Sequence, residues 1–376
     1  MTIKPFSKTV SIVLASIAIS AVAITGATNA SAATKPKPKP TPTATATPAS
    51  DPNKFSLALI GDMPYDANGQ AQTPAVIDAI NASGVDFSLF DGDTMSGKGD
   101  LCTDGNYARI KSDFFDKFNK PVFYSIGDNE WTDCDRPVKG AYDPNERLAK
   151  VRSLFFKDAN GNYITLGKGA LAGVEIQHDP NYPELQLFTY KKITFIIPHI
   201  PGSADNAAVT SDKYKTYNDL AKDGDATEYA ARDAADVAWI QKGFKEAADK
   251  GSNGVIIVEQ ANLDWEGYVA GTAAPNNEFT AAFDNVKQAI LTGTLAFKKP
   301  VLLQNGDEHW YQVDMPMNET AGKLVQRDKG SLVETFTRVQ TFGSGFNHWV
   351  QLDIDPSNPL LWTITPKLVA SNFAKH

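Results

Sequence analysis

Four Gly-Asp pairs stand at the ends of apolar runs in this sequence. The dipeptide begins at residues 61, 92, 99, 127, 224 and 306. Four of these six pairs close a strand-like run and contribute Asp62, Asp93, Asp128 and Asp307. Because the carboxyl ends of parallel strands line the ligand crevice of an α/β sheet, we expect these four carboxylates to converge. The glycine before each aspartate permits a sharp turn and leaves room for a bound ion.

Carboxylates that cluster without a counter-charge cannot all remain ionised, and a bound cation removes this conflict. The four aspartates together therefore predict a metal site or a phosphate–metal site. For any single one of them, the alternative is an ordinary structural role as a helix cap or a turn residue.

Strand and helix patterns alternate around these aspartates. Apolar runs predict strands at Phe55 to Ile60, Val85 to Phe90 and Val122 to Ile126, and a first helix is predicted to begin at Thr73-Pro74. This alternation is typical of a parallel sheet with right-handed crossovers, and it predicts the α/β class. The second half adds predicted helices at 144–156, 233–250 and 279–291, strands at 254–258 and 301–303, and antiparallel strands between 338 and 364.

The motifs that contain the aspartates resemble those of a known family. They read Gly61-Asp62, Gly92-Asp93, Gly127-Asp128-Asn129-Glu130 and Gly306-Asp307-Glu308-His309. This succession resembles the signature of the calcineurin-like metallophosphoesterases, which is Asp-x-His, Gly-Asp, Gly-Asn-His-(Glu/Asp), a lone His and Gly-His-x-His. The short stretches GDNEWTDC, GDEHW and TRVQTFG resemble those of a secreted microbial branch of that family. The resemblance covers residues 55 to 355 and implies a four-layer α/β/β/α sandwich.

The resemblance implies a role for each matching residue. Asp62 and His309 match ligands of a first metal ion, and Asp93 matches the carboxylate that bridges two ions. Asp128 stands where the family has an asparagine ligand of the second ion. Asp307 stands where the family has the first histidine of Gly-His-x-His.

Three positions depart from the family pattern. Pro64 replaces the histidine of Asp-x-His, Asn129 replaces the catalytic histidine, and Gln260 occupies the place of the lone histidine. With Gln260 as a further ligand, the set is rich in oxygen and suits Mg²⁺, Mn²⁺ or Ca²⁺ better than zinc or iron. One ion, or none, is the alternative to a bridged pair. Asn129 joins Asp93 as a catalytic candidate, but an amide has no useful pKa, so a leaving group needs another proton donor.

Further polar residues lie beside these loops. Lys98 and Arg136 follow two of the Gly-Asp loops and are either phosphate contacts or solvated surface charges. Tyr65 follows the first loop and can donate a hydrogen bond. His199 follows an apolar run and either reaches the cleft or has a structural role.

The termini and the cysteines indicate an exported protein. Residues 1–33 carry an early positive charge, an apolar run and Ala30-Ser31-Ala32, which predicts a cleaved signal peptide; the alternative is an uncleaved anchor. Residues 34–53 are rich in proline, threonine and lysine and predict an extended linker, either a spacer to a cell wall or surface or a featureless tail. Residues 54–376 form the predicted phosphoesterase domain. The two cysteines, Cys102 and Cys134, predict a disulfide, as is usual outside the cytosol.

The charge of the chain limits the class of partner. The formal net charge is −8, and loss of Lys4 and Lys8 with the signal peptide changes it to −10. An acidic domain of this kind argues against nucleic acid as a partner, because binding to a phosphate backbone depends on clustered Lys and Arg. After signal cleavage, no later segment predicts stable insertion into a membrane.

These observations favour a secreted or cell-surface metal-dependent phosphoesterase. It would hydrolyse a small phosphomonoester or phosphodiester through metal-activated water. The alternative is a degenerate member of the same fold that binds an extracellular ligand without hydrolysis. The missing histidines favour this alternative, whereas carboxylates at four metal-facing positions favour the enzyme.

Overall fold

The computed structural model describes residues 51–208, 224–265, 281–327 and 329–373. These residues belong to the unit Ser50–His376. The predicted signal peptide and residues 34–50 of the predicted linker lie outside the described ranges. Within those ranges, no helix is both long enough and apolar enough to cross a membrane.

The described residues form a mixed α/β fold, which confirms the predicted class. The helices are α1 (Asp66–Ser83), α2 (Asp104–Asp113), α3 (Pro144–Phe155), α4 (Ala226–Asp249), α5 (Asp284–Phe297) and α6 (Ala370–Phe373). Short 3₁₀ helices cover Phe115–Lys117, Thr132–Asp135 and Pro137–Lys139.

A six-stranded sheet contains the first three predicted strands. Its members are β1 (Phe55–Ile60), β2 (Phe87–Phe90), β3 (Pro121–Tyr124), β4 (Leu166–Gly167), β15 (Trp349–Ile354) and β16 (Trp362–Lys367), in the order β16-β15-β1-β2-β3-β4. β1, β2 and β3 are parallel, as predicted. β15 and β16 are antiparallel to their neighbours.

A seven-stranded sheet contains most of the second half of the chain. Its members are β5 (Gln177–His178), β6 (Gln186–Tyr190), β7 (Ile193–Ile197), β8 (Gly254–Val258), β9 (Val301–Asn305), β10 (Gln312–Asp314) and β14 (Phe336–Gln340). Their order is β10-β14-β9-β8-β7-β6-β5, and β7, β8, β9 and β14 are parallel. A small sheet of β11 (Asn318–Thr320), β12 (Lys323–Val325) and β13 (Ser331–Leu332) lies outside both.

One local prediction was wrong and another was incomplete. Helix α1 begins at Asp66, so Pro74 lies inside it rather than in its first turn; the hydroxyl of Thr73 donates to the carbonyl oxygen of Gly69 at 2.7 Å within this stretch. The predicted antiparallel tail is present in β15 and β16, and β14 is antiparallel to β10, but β14 also pairs in parallel with β9. Period-two alternation identifies a strand without fixing the direction of its neighbour.

Apolar side chains of the described residues form three large buried clusters and one small one. One contains residues from strands of both large sheets, including Leu57, Phe87, Phe195 and Ile256. A second joins α1, α2 and α3 to the six-stranded sheet, and a third joins α4 and α5 to the seven-stranded sheet. Each fully buried large apolar side chain contributes about 1.5–3 kcal/mol to folding, so this packing fixes the strand ends from which the site is built.

Candidate functional site

The carboxyl ends of strands in the two large sheets lie next to each other. The side-chain amide of Gln304, at the end of β9, donates to the carbonyl oxygens of Ile60 at 3.3 Å and Leu89 at 3.2 Å in the other sheet. Ser125, after β3, donates to the carbonyl oxygen of Pro198, after β7, at 2.9 Å. The loops that follow these strands therefore meet in one place.

These loops have an unusual backbone geometry. Asp62, Asp93, Asp307 and His309 have φ values of 49°, 61°, 74° and 69°. Residues other than glycine rarely adopt this left-handed region, and such residues cluster at functional sites. The positive φ values thus fall on four of the predicted metal ligands.

Two glycines allow the aspartates to approach the neighbouring loops. A Cβ atom on Gly127 would lie 2.0 Å from Oδ1 of Asp93, and one on Gly306 would lie 2.3 Å from Oδ2 of Asp62. Neither position can accept a larger residue unless a carboxylate moves. The glycine of the Gly-Asp pair therefore provides space for a carboxylate that comes from a different loop.

Asp62 forms the first half of the site with the Gly306–His309 loop. Its carboxylate is fully buried, and both of its oxygens accept from the backbone N–H of Asp307 at 3.1 Å. Nε2 of His309 lies 3.5 Å from Oδ1 of Asp62. Burial alone would lower the pKa of His309, but its hydrogen bond to Asp62 and the negative charge there outweigh burial and raise that pKa.

Asp93 is surrounded by hydrogen-bond donors. Its Oδ2 accepts from the hydroxyl of Tyr65 at 2.7 Å, from Nδ2 of Asn129 at 2.7 Å and from Nε2 of Gln260 at 3.2 Å. Nδ2 of Asn129 also lies 2.9 Å from the hydroxyl oxygen of Tyr65. Asn129, Tyr65 and Asp93 thus form one contact group. Burial and the carboxylates of Asp93 and Asp62 raise the pKa of Tyr65, so its hydroxyl keeps its proton.

Gln260 joins three of the loops. Besides its contact with Asp93, Nε2 lies 3.5 Å from Oδ1 of Asp128 and 3.4 Å from Oδ1 of Asp307. The other end of the amide, Oε1, accepts from the backbone N–H of Gly202 at 2.5 Å. The structure therefore turns the nitrogen of Gln260, rather than its carbonyl oxygen, towards the carboxylates.

A serine hydroxyl connects Asp128 to a further carboxyl group. Oγ of Ser203 lies 2.6 Å from Oδ2 of Asp128 and 2.8 Å from Oδ1 of Asp133. A hydroxyl has only one proton to donate, so one of the two carboxyl groups must carry a proton for both contacts to be hydrogen bonds. Burial and the charge of Asp128 raise the pKa of Asp133 to about 7. Asp133 is therefore the natural location of that proton.

The two predicted phosphate contacts have different environments. Lys98 is exposed. Arg136 is buried, and its Nη1 pairs with Oδ2 of Asp133 at 2.5 Å and donates to the carbonyl oxygen of Gly97 at 3.2 Å. Arg136 thus already has a partner in Asp133, whereas Lys98 is open to solvent.

Nearby positive charge does not outweigh the burial of the carboxylates at the centre of the site. Burial, followed by the charges of Asp128 and Glu130, raises the pKa of Asp93 well above its ordinary value. Burial and the charges of Asp128 and Asp62 raise the pKa of Asp307 in the same way. A bound cation would reverse both effects.

The same buried layer contains acidic groups that the sequence motifs did not single out. Asp91 is fully buried; its Oδ2 accepts from Gln304 and Thr341, both at 2.9 Å, and its Oδ1 has no hydrogen-bond partner among the described residues. Glu130 is fully buried and accepts from the backbone N–H of Thr94. The sequence shows that Asp91 directly precedes Gly92-Asp93 in one loop. It does not show that Ser203 contacts Asp133.

A second buried cluster of charged groups lies behind the site. Nε of Arg152 donates to Oε2 of Glu184 at 2.8 Å, and Nδ1 of His199 lies 3.0 Å from Oε1 of Glu184. Burial opposes ionisation of Glu184, but Arg152 and His199 outweigh burial and lower the pKa of Glu184 to about 2. Burial lowers the pKa of His199 to about 4. His199 therefore has a structural partner of its own.

Arg232 completes this second cluster. It is fully buried, and Nη1 donates to Oδ1 of Asp205 at 2.5 Å and to the carbonyl oxygen of His199 at 2.8 Å. The guanidinium group also lies over the ring of Trp131, 5.4 Å from its centre. Trp131 follows Glu130 directly, so the cluster supports the loop that carries Asp128 and Asn129.

The predicted disulfide between Cys102 and Cys134 is present. Cys102 follows the loop that contains Asp93, and Cys134 follows the loop that contains Asp128. The bond therefore connects two loops of the site covalently and limits how far they can separate in the folded and unfolded states.

The structure thus brings together Asp62, Asp93, Asp128, Asn129, Gln260, Asp307 and His309. In the ranges that the structure describes, however, no group of three Asp, Glu, His or Cys side chains is arranged for direct coordination of a metal ion. The hydroxyl of Tyr65 and the amides of Asn129 and Gln260 stand between the carboxylates instead.

The sequence matches no protein-family model and no curated protein. Among solved structures, one similar chain is that of "GAP50 the anchor in the inner membrane complex of Plasmodium". The two chains are 12% identical, the match covers 85% of this chain and 94% of that one, and the TM-score is 0.40. A likeness at this level supports no conclusion about the fold or the function of this protein.

Proposed function

We propose that this protein is a secreted metal-dependent phosphoesterase of the calcineurin-like type, acting on a small phosphomonoester or phosphodiester. The observation that carries the proposal is the convergence of Asp93, Asp128 and Asp307, from three different loops, on the single amide nitrogen of Gln260. Asp62 and His309 lie against the same loops. Buried carboxylates gathered in this way are stabilised by protons or by a bound cation, and metal-dependent phosphoryl hydrolysis uses such a set.

The four-layer α/β/β/α arrangement belongs to the same proposal. It is supported by the buried cluster between the two large sheets and by the helical clusters on the outer face of each sheet. The predicted leader and the disulfide support an extracellular or periplasmic location, because disulfides persist in oxidising compartments.

Asp62, Asp93 and His309 would hold the metal ion, and their hard donor set favours Mg²⁺, Mn²⁺ or Ca²⁺. The ion would supply Lewis acidity and lower the pKa of an attacking water. The side-chain amide of Asn129 donates to the carboxylate of Asp93 and to the hydroxyl oxygen of Tyr65, and so it orients both groups.

Tyr65 is the donor that replaces the missing imidazole. Three donors compete for Oδ2 of Asp93, and a bound cation would take up electron pairs of that oxygen. The hydroxyl proton of Tyr65 then becomes available to the leaving-group oxygen. The raised pKa of Tyr65 favours a hydrogen-bond donor rather than a base.

A binding protein without turnover is the second candidate. One observation favours it: the catalytic histidine position holds Asn129, whose side chain is committed to Asp93 and Tyr65. Such a protein would bind a phosphorylated ligand through the same metal and release it unchanged.

The test is hydrolysis of 4-nitrophenyl phosphate and bis(4-nitrophenyl) phosphate by the purified protein in Mn²⁺ or Mg²⁺. We expect the Asp93→Asn variant to lose about 10³-fold or more of the rate, because it weakens the hold on the ion and on the attacking water. The matched control is Asp249→Asn, since Asp249 is an exposed partner of Lys245. A metal-loaded wild type that hydrolyses neither ester would exclude the enzyme and leave the binding protein.

A further inference from the structure

Gln260 is held in one orientation. It is fully buried at the end of β8, and its neighbours differ at the two ends of the amide. Oε1 accepts from the backbone N–H of Gly202, which can only donate. Turning the amide over would place NH₂ against that N–H and a carbonyl oxygen against three carboxylates. Both ends would then be repelled, so the hydrogen-bond pattern fixes the assignment.

Close packing also fixes the position of the side chain. A Cβ atom on Gly92 would lie 2.7 Å from Cγ of Gln260, so the glutamine fills the space that a side chain at residue 92 would need. The backbone is held as well, because the N–H of Gly306 donates to the carbonyl oxygen of Gln260 at 3.1 Å. Gln260 therefore cannot leave the centre without breaking contacts to two other loops.

The amide nitrogen of Gln260 occupies a place suited to a cation. Oxygens of Asp93, Asp128 and Asp307 surround it at 3.2 to 3.5 Å. Mg²⁺ needs its oxygen ligands at about 2.0–2.1 Å and Ca²⁺ at about 2.3–2.6 Å. An ion bound to these three oxygens would take the electron pairs that face the NH₂ group, and an amide NH₂ has no electron pair to offer the ion. The ion and the amide therefore compete for the same oxygens.

We propose that the Gln260 amide fills the second metal position, so that the protein binds a single divalent ion, at Asp62, Asp93 and His309. This inference rests on the proposed function, because it assumes the metal site described there. The NH₂ group gives hydrogen bonds to the carboxylates that the second ion would otherwise neutralise. Asp128 then has a positioning role through Ser203 instead of a ligand role.

The ion count tests this inference directly. Purified protein is loaded with Mn²⁺, dialysed, and measured for manganese per chain by elemental analysis and by isothermal titration. Electron paramagnetic resonance distinguishes an isolated Mn²⁺ from a coupled pair. We expect one ion per chain and the six-line signal of an isolated ion for the wild type.

Variants at residue 260 make the test specific. Gln260→His replaces the amide with an imidazole ligand, and we expect two ions per chain and a coupled signal. Gln260→Ala removes the NH₂ group with less risk to packing, and we expect the count to rise above one at high Mn²⁺. Gln241→His, at an exposed glutamine of α4, is the matched control and should keep one ion.

The outcomes separate this inference from the proposed function. Two coupled ions in the wild type would overturn the inference and leave the phosphoesterase proposal intact. The inference also fails if folded Gln260→His and Gln260→Ala variants both remain at one ion. One ion with no ester hydrolysis would support the inference and contradict the enzyme. No bound ion in the wild type would overturn both.

Discussion

Two buried clusters of charged groups lie side by side in this molecule, and they are built differently. In the cluster around Arg232 and Arg152, each guanidinium contacts a carboxylate, Asp205 or Glu184. At the candidate site, Asp62, Asp93 and Asp307 meet hydroxyl, amide and backbone donors, with His309 as the one imidazole in contact. The first cluster contains its own counter-charges, whereas the second depends on protons or on a bound cation.

This difference separates a structural role from a functional one. A buried ion pair with fixed partners is complete without a ligand, and removing one partner leaves a charge in a medium that solvates it poorly. A group of buried carboxylates with raised pKa values is incomplete, and such groups are concentrated at functional sites. The lowered pKa of Glu184 and the raised pKa of Asp93 express this contrast, which is one of degree, because burial outweighs Arg232 at Asp205 and raises the pKa of Asp205 to about 8.

The largest effect should come from removing the guanidinium group of Arg232 from the cluster around Arg232 and Arg152. Replacing Arg232 by methionine leaves Asp205 and Asp236 buried without a cation, and we expect a loss of about 3–5 kcal/mol in the free energy of unfolding. Denaturant unfolding measures this. The control is Lys245→Met, which breaks an exposed pair with Asp249 and should cost about 0.5 kcal/mol or less. Equal losses in the two variants would remove the distinction between the clusters.

A smaller effect should appear when the site loses the hydroxyl of Tyr65. With alkyl phosphate esters, whose leaving groups need a proton, we expect Tyr65→Phe to lower kcat about 100-fold. With 4-nitrophenyl esters, which leave without one, the loss should be about tenfold or less. Tyr163→Phe is the control, because the ring of Tyr163 is exposed and its hydroxyl donates to the carbonyl oxygen of Asp179, away from the site. An equal loss with both ester classes would indicate that Tyr65 only supports the fold.

The smallest effect is a difference in pH dependence. Asp133 has a raised pKa of about 7 in the folded protein, so its contribution to stability is complete below about pH 4 and is lost as the pH rises through 7. His199 has a lowered pKa of about 4, so its contribution is lost as the pH falls from about 6.5 to 4. In EDTA, the two contributions should therefore oppose each other between about pH 4 and 7: as the pH rises through this window, Asp133 lowers the melting temperature by a few degrees and His199 raises it.

Two variants and one addition separate these contributions. Asp133→Asn should remove the falling contribution, so that the melting temperature rises more steeply from about pH 4 to 7. His199→Asn should remove the rising contribution, so that the melting temperature falls over the same window. Saturating Mn²⁺ should reduce the falling contribution alone, because only the candidate site gains a counter-charge. A pH profile that Mn²⁺ and Asp133→Asn both leave unchanged would place the origin of the fall elsewhere in the chain.

The sequence predicted the parts of the site that depend on local pattern. Asp62, Asp93, Asp128 and Asp307 each follow an apolar strand and a glycine, and both signals lie within a few residues of the aspartate. The direction in which each aspartate leaves its strand follows from the parallel sheet. The sequence therefore predicts, without any knowledge of tertiary contacts, that these loops lie at the carboxyl ends of the parallel strands.

The remaining features depend on contacts between distant residues. Ser203 reaches Asp128 across 75 residues, and no local pattern marks a serine as the partner of a carboxylate. The orientation of the Gln260 amide depends on the N–H of Gly202, which lies 58 residues away. Pro74 inside α1 and the parallel pairing of β14 escaped prediction because tertiary packing overrides local preference.

The turn at Gly202–Asp205 has a consequence for the length of the chain. The φ values of the four residues from Ser203 to Asn206 lie between 48° and 60°. Ser203 contacts Asp128 in the site, and Asp205 contacts Arg232 in the second cluster. Changing one side chain here removes one of these contacts. Inserting or deleting a single residue would shift both at once. Homologous chains should therefore keep the length of this segment constant.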